Sequence, residues 1–152
     1  MARCAECGAL EECEALFHLL ITLEFSARAP WAPVHAVSVA CFYLQHSSRL
    51  PESGLGFYWA VLHVYVRGGL AALGPMTQRA QRLNSHRFGG LKPGADAFVG
   101  TPPLPDPSVP PTAYDTTIAD VALDGSFPAE GHEERMRHWA TATVDAWQAQ
   151  GR

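Results

Sequence analysis

Residues 13–46 read CEALFHLLITLEFSARAPWAPVHAVSVACFYLQH, two apolar runs separated by a short break that carries proline and tryptophan. In the first run Leu16, Phe17, Leu20 and Leu23 recur at spacings of three and four, the period of one helix face. Glu11, Glu12 and Glu14 stand where the positive end of a helix dipole favours acidic side chains, so the pattern predicts a helix over 10–26. Pro30 and Trp31 interrupt it. Pro33 then sits in the first turn of a second helix, where a missing N–H costs nothing, and that helix runs from about 33 to 47, ahead of Ser47, Ser48 and Pro51. A connection this short makes the two helices antiparallel neighbours. The hairpin decides the fold because it fixes which ends meet: the start of the first helix lies beside the end of the second.

Working outward, residues 54–74 predict a third helix rich in aromatics, with Gly68 and Gly69 as a bend, and Pro75 opens a shorter piece to about Asn84. Thr117 and Asp120 have the spacing of a capping box, with a short helix over 118–123. A last helix over 129–149 carries Met136, Trp139, Ala140, Val144 and Trp147 on one face. Period-two alternation is absent. The class is therefore all-α, a helical bundle of about four main helices. Residues 88–115 hold Gly89, Gly90 and Gly94 followed by Pro102, Pro103, Pro105, Pro107, Pro110 and Pro111, which excludes helix and central strand and predicts a long surface strap, least protected over 94–111. The 152 residues, 47% of them apolar, suffice for one continuous core, so one helical domain is expected over 1–152, with 1–13 a Cys-rich turn.

Composition narrows the partners. Net charge is −4, and the 11 Lys and Arg fall below the 15 Asp and Glu. Arg79, Arg82, Arg87 and Lys92 form a loose stretch without aromatic interleaving, so nucleic acid is not expected. The first twelve residues contain no apolar run of the signal-peptide kind, and the apolar segments 34–44 and 55–66 fall short of the roughly 18 residues a bilayer requires. A cytoplasmic, non-membrane protein is expected, its four cysteines reduced or metal-bound.

Cys4-Ala-Glu-Cys7-Gly8 is the local motif with a specific mechanism. Two cysteines separated by two residues can both reach one zinc at about 2.3 Å, and a following glycine permits positive φ. One CxxC needs further ligands. The hairpin places Cys13 and His46 at the end where Cys4 and Cys7 must lie, giving a Cys₃His set, the stoichiometry of structural zinc, and one zinc per chain. The bland readings stand beside this: free thiols on a frayed end, Cys13 as a small packed residue, His46 as a helix C-cap. His35 shares His46's face but lies about 16 Å along the axis at 1.5 Å per residue. His18 is off the stripe, and Cys41 reads as a buried apolar residue.

At the other end of the hairpin, Glu24 shares a face with Cys13 and meets His35. His63, in the apolar third helix, and His132, opening the last, are candidates to join them. A carboxylate with histidines from several helices is a known bundle-core metal arrangement, and so Glu24, His35, His63 and His132 are the catalytic candidates. A simple hydrogen-bonded pair is the commoner outcome. The remaining histidines, His86 and His138, read as surface residues.

The order CxxCG, a further Cys opening a helix, Val34-His35, Gln45-His46, His63, Ile118 with Asp120 and Val121, and His132 followed by Trp139 and Trp147 resembles an uncharacterised bacterial domain-of-unknown-function family of small Cys/His helical proteins. That pattern has a proline after the Gln-His pair where this chain has Ser47, which leaves the end of the second helix open. The resemblance implies a bundle and a site, and no reaction. Three functions compete. The first is a structural-zinc module that binds a protein or small molecule. The second is a metalloenzyme whose Glu/His site activates water. The third is a CxxC thiol oxidoreductase, ranked last because Glu11 stands where such helical proteins place a histidine.

Overall fold

The computed structural model describes residues 3–10, 12–83 and 101–150, without the side chains of 79–83. It is built from α1 (Cys13–Phe25), α2 (His35–Gln45), α3 (Glu52–Leu83), α4 (Ile118–Val121) and α5 (His132–Gln150), with single 3₁₀ turns at Ala32–Val34 and Ser47–Arg49. No strand occurs among the described residues, so the fold is all-α as the periodicities predict. No helix among them is long and apolar enough to cross a membrane.

The hairpin has the predicted antiparallel register, fixed at three levels. At one end Cys13 and His46 come together. In the middle the Phe17 and Phe42 rings stack with centroids 3.9 Å apart and planes within 5°. At the other end His35 Nδ1 lies 2.6 Å from Glu24 Oε1. The central layer is α2, which packs against α1, α3 and α5 and buries Val37, Ala40, Cys41, Phe42 and Leu44. Burial of each large apolar side chain there contributes roughly 1.5–3 kcal/mol.

The third predicted helix bends at the expected glycine pair, and the helical piece that follows starts there and not at Pro75. The chain breaks helical geometry inside α3 at Gly69 (φ 64°, ψ −160°), while Pro75 lies within the helix beyond the break and opens nothing. A non-glycine residue resists that backbone conformation. A Cβ at the neighbouring Gly68 would approach Ala72 Cβ to 2.5 Å, so both glycines are needed for the bend.

The predicted capping box at α4 is present: the Thr117 hydroxyl accepts from Ala119 N–H, and Asp120 Oδ2 accepts from Thr117 N–H at 2.8 Å. Arg135 fastens the following loop by donating to the carbonyls of Val121, Pro128 and Glu130. Trp139 and Trp147 on α5 and Trp59 on α3 are core residues, all 1% exposed or less, as their spacing predicts.

Of the expected strap, 88–100 lies outside the described residues, as do Asn84, His86, Arg87 and Lys92. Residues 101–115 form no helix or strand, but they are anchored: Trp59 Nε1 donates to Pro102 O at 3.0 Å and Pro111 is buried.

The last carbonyls of α2, which have no intrahelical partner, are satisfied by side chains. Leu44 O accepts from Trp147 Nε1 at 3.0 Å and from Tyr114 Oη at 3.2 Å, and Phe42 O accepts from His46 Nδ1 at 2.7 Å. Gln45 Nε2 donates to Thr143 Oγ1 and to Thr116 O, both at 2.9 Å. The end of α2 is thereby held by residues from two distant segments, and His46 emerges from it in a fixed orientation.

Candidate metal centre

The turn before α1 closes on itself: Gly8 N–H donates to Cys4 O at 2.9 Å and Cys4 N–H to Ala9 O at 2.8 Å. Gly8 has φ +84°, the positive value anticipated after a CxxC pair. The turn is tied to the end of α2, where Glu6 Oε1 accepts from Ser48 N–H at 3.1 Å. Cys7 and Cys13 are buried and Cys4 is half-buried.

These constraints bring one ligand atom each from Cys4, Cys7, Cys13 and His46 within 4.8 Å of one another, close enough to hold a metal ion. The Cys7 and Cys13 sulfurs are 3.3 Å apart. Two thiolates on one tetrahedral zinc at 2.3 Å would stand about 3.8 Å apart, so a shift of about half an ångström suits the pair to an ion.

His46 carries the clearest sign of fit. Its Nδ1 donates to Phe42 O, which fixes the tautomer and leaves the lone pair on Nε2. Nε2 is buried and has no hydrogen-bond partner. A buried polar atom without a partner costs about 1–3 kcal/mol, and a metal ion removes that cost. Phe42, stacked on the His46 ring at 4.3 Å, holds it from the apolar side.

The sulfurs are electrostatically unequal. The hydrogen bond from Cys13 holds the Cys7 thiol far below its usual value, to about 4, against the effect of burial and with help from His46 and the Ala9 N–H. The same hydrogen bond, with burial, pushes Cys13 up. His46 is raised: burial, the largest single effect, lowers it, but the Phe42 carbonyl and the neighbouring Cys7 and Cys4 sulfurs together outweigh it. Cys41 is fully buried in the core and its thiol is pushed up by burial, as expected of a structural cysteine. His18 is exposed and points away from the cluster's stripe.

The opposite end of the hairpin holds a pair and no second cluster. Glu24, its side chain wholly buried, takes His35 Nδ1 on Oε1 and the Ser38 hydroxyl on Oε2. Burial raises the Glu24 carboxyl, with both hydrogen bonds opposing. His63 and His132 do not join it: no second set of three or more ligand atoms lies within 4.8 Å among the described residues. His63 stands edge-on to Trp59 at 4.3 Å, and His132 is enclosed by Trp31 and Phe127 with burial lowering it to about 4. His63 lies on α3 and His132 on α5, and helical spacing within one segment does not resolve how those helices dock on the hairpin. Ser38 was not among the candidate residues, although it lies one turn after His35 on the same face.

Searches of curated proteins and of solved structures gave no match. A family model does match, over residues 2–148, and with both the four-ligand cluster and the all-α architecture inside that span the chain belongs to DUF5946, a family of unknown function.

Proposed function

We propose that the chain is one helical domain fastened by a structural zinc ion on Cys4, Cys7, Cys13 and His46, acting by binding a protein or small molecule in a reducing compartment. The observation that carries this reading is the buried His46 Nε2, without a hydrogen-bond partner and within ligand range of three sulfurs. Three thiolates and an imidazole suit zinc, and four protein ligands leave no position for water, which favours a structural role over hydrolysis. Bound there, the ion would supply a crosslink between the turn, α1 and the end of α2. The residues do the rest: Phe42 O sets the imidazole tautomer, Ala9 N–H supports the Cys7 sulfur, and Gly8 turns the chain back.

Support for a binding role is an open cleft of about 510 Å³ beside the turn, bordered by Arg3, Cys7, Thr112, Tyr114 and Asp120. Burial of Cys7 and Cys13 disfavours thiol exchange with other proteins, which needs an accessible sulfur. The test is elemental analysis of protein purified without added metal, which is expected to give about one zinc per chain, lost in Cys7→Ser. Metal-free protein with full helicity and an unchanged melting temperature would overturn the proposal.

A further inference from the structure

At the end of the hairpin away from the cysteines, an open groove of about 430 Å³ runs between the start of α2 and the half of α3 beyond Gly69. Its walls are Pro33, Ala36, Leu70, Leu73 and Thr77, and His35 stands at its edge with 40% of its side chain exposed. Behind that imidazole lies Glu24, wholly buried and held on its second oxygen by Ser38. A buried carboxylate taking Nδ1–H fixes the ring orientation and selects the tautomer whose lone pair is on Nε2. This arrangement of orienting acid and imidazole is the one that makes histidine a base.

The surroundings decide what such a base would meet. A metal is disfavoured, because no group of three ligand atoms includes His35 among the described residues. An anion is disfavoured by the carboxylate directly behind the ring. A cation would lose its hydration against apolar walls with no exposed acid lining them. What remains is a neutral donor on an apolar body. We propose that the groove binds small apolar compounds bearing a weakly acidic hydroxyl, phenols in particular, which donate that hydroxyl to His35 Nε2 while the ring lies on Leu70 and Leu73. Full transfer moves the hydroxyl proton to Nε2, leaving a phenolate beside an imidazolium whose charge Glu24 balances. The site is independent of the metal centre.

The probe is p-nitrophenol, whose phenolate absorbs visibly, titrated with the full-length protein at a pH where the free phenol is mostly protonated. The wild type is expected to give a saturable rise in phenolate absorbance, and His35→Ala to lose it at least tenfold. Gly74→Leu is the folding-safe block: Gly74 lines the groove, a Cβ there meets no atom within 4 Å, and leucine favours helix. It should abolish the signal with helicity and melting temperature retained. Glu24→Gln should keep binding but lower the phenolate fraction, a change that a purely structural Glu24 would not produce. Absence of saturable binding by the wild type, or a signal that survives either His35→Ala or Gly74→Leu, would overturn the proposal.

Discussion

Glu24 accepts two hydrogen bonds in unlike surroundings, and this asymmetry predicts an order of stability losses. Ser38 is 0% exposed and donates from inside the bundle. His35 donates from a side chain 40% exposed. Removing Ser38 leaves Oε2 beyond the reach of water, so Ser38→Ala should cost about 2–3 kcal/mol, the upper part of the range for a hydrogen bond to a charged group. Removing His35 opens a path by which water replaces the lost donor, and solvent already screens that pair, so His35→Ala should cost about 1–2 kcal/mol. Replacing the buried polar groups together, as Glu24→Leu with Ser38→Ala, should fall closer to neutral than the sum of the single changes, because no orphaned charge remains. The assay is equilibrium urea unfolding at fixed zinc, comparing midpoints at constant m, with about 2–4 °C of melting temperature expected per kcal/mol in a chain this long. The pH dependence follows from the raised Glu24 carboxyl. The folded chain retains a proton that the unfolded chain releases, so this group's stabilisation is full below the unfolded value and is lost as pH rises through the folded one. The wild type minus Glu24→Gln difference should therefore decline with rising pH. A larger loss for His35→Ala than for Ser38→Ala, or a difference that grows with pH, would refute the reasoning.

On the proposed zinc site, chelation should lower the melting temperature by about 10 °C, since an ion at 100 to 1,000 times its dissociation constant contributes about 2.7–4.1 kcal/mol; scanning calorimetry with and without chelator checks it. Thiol titration should register Cys4, Cys7 and Cys13 only after chelation, and Cys41, wholly buried, only in denaturant. Gly8→Ala should weaken metal binding and cost about 1–2 kcal/mol through backbone strain alone, because φ is +84° and a Cβ there would meet its nearest atom at an ordinary 3.5 Å; competition with a chromogenic chelator measures the first effect and urea unfolding the second. Thr117→Ala should cost about 1 kcal/mol by removing the capping box, also read by urea unfolding.

What the sequence made legible was local periodicity joined to a single topological fact. Once 13–46 is a helical hairpin, eleven-residue spacing along each helix places Cys13 with His46 and Glu24 with His35, and both pairs meet as expected. The Thr117 box and the tryptophan face of α5 were legible for the same local reason. Positions depending on how a third or fourth helix docks were not. His63 and His132 are candidates for the Glu24 end only if the bundle order permits, and nothing in their own segments says which neighbour they face. The helix break was split between Gly69 and Pro75 because both residue types interrupt helices, and only the positive φ at Gly69 separates them. Ser38 is not legible as a partner of Glu24 because serine within an apolar helix usually bonds its own backbone, which Ser38 also does with Val34 O at 3.2 Å.

The doubly accepted Leu44 carbonyl bears on how separable the cysteine turn is. Its donors, Tyr114 and Trp147, lie 70 and 103 residues downstream. The backbone that presents His46 is therefore finished only when the far end of the chain has docked. A peptide covering residues 1–50 contains all four candidate ligands, yet it would have to order the histidine's turn without those donors and would expose the last carbonyls of α2 to water. The four-ligand arrangement is therefore expected to form late, as a long-range product of folding, and a 1–50 peptide is expected not to reproduce it. Closing it should follow collapse of α5 onto α2, so that changes at Trp147, remote in sequence from every ligand, should slow metal capture during refolding.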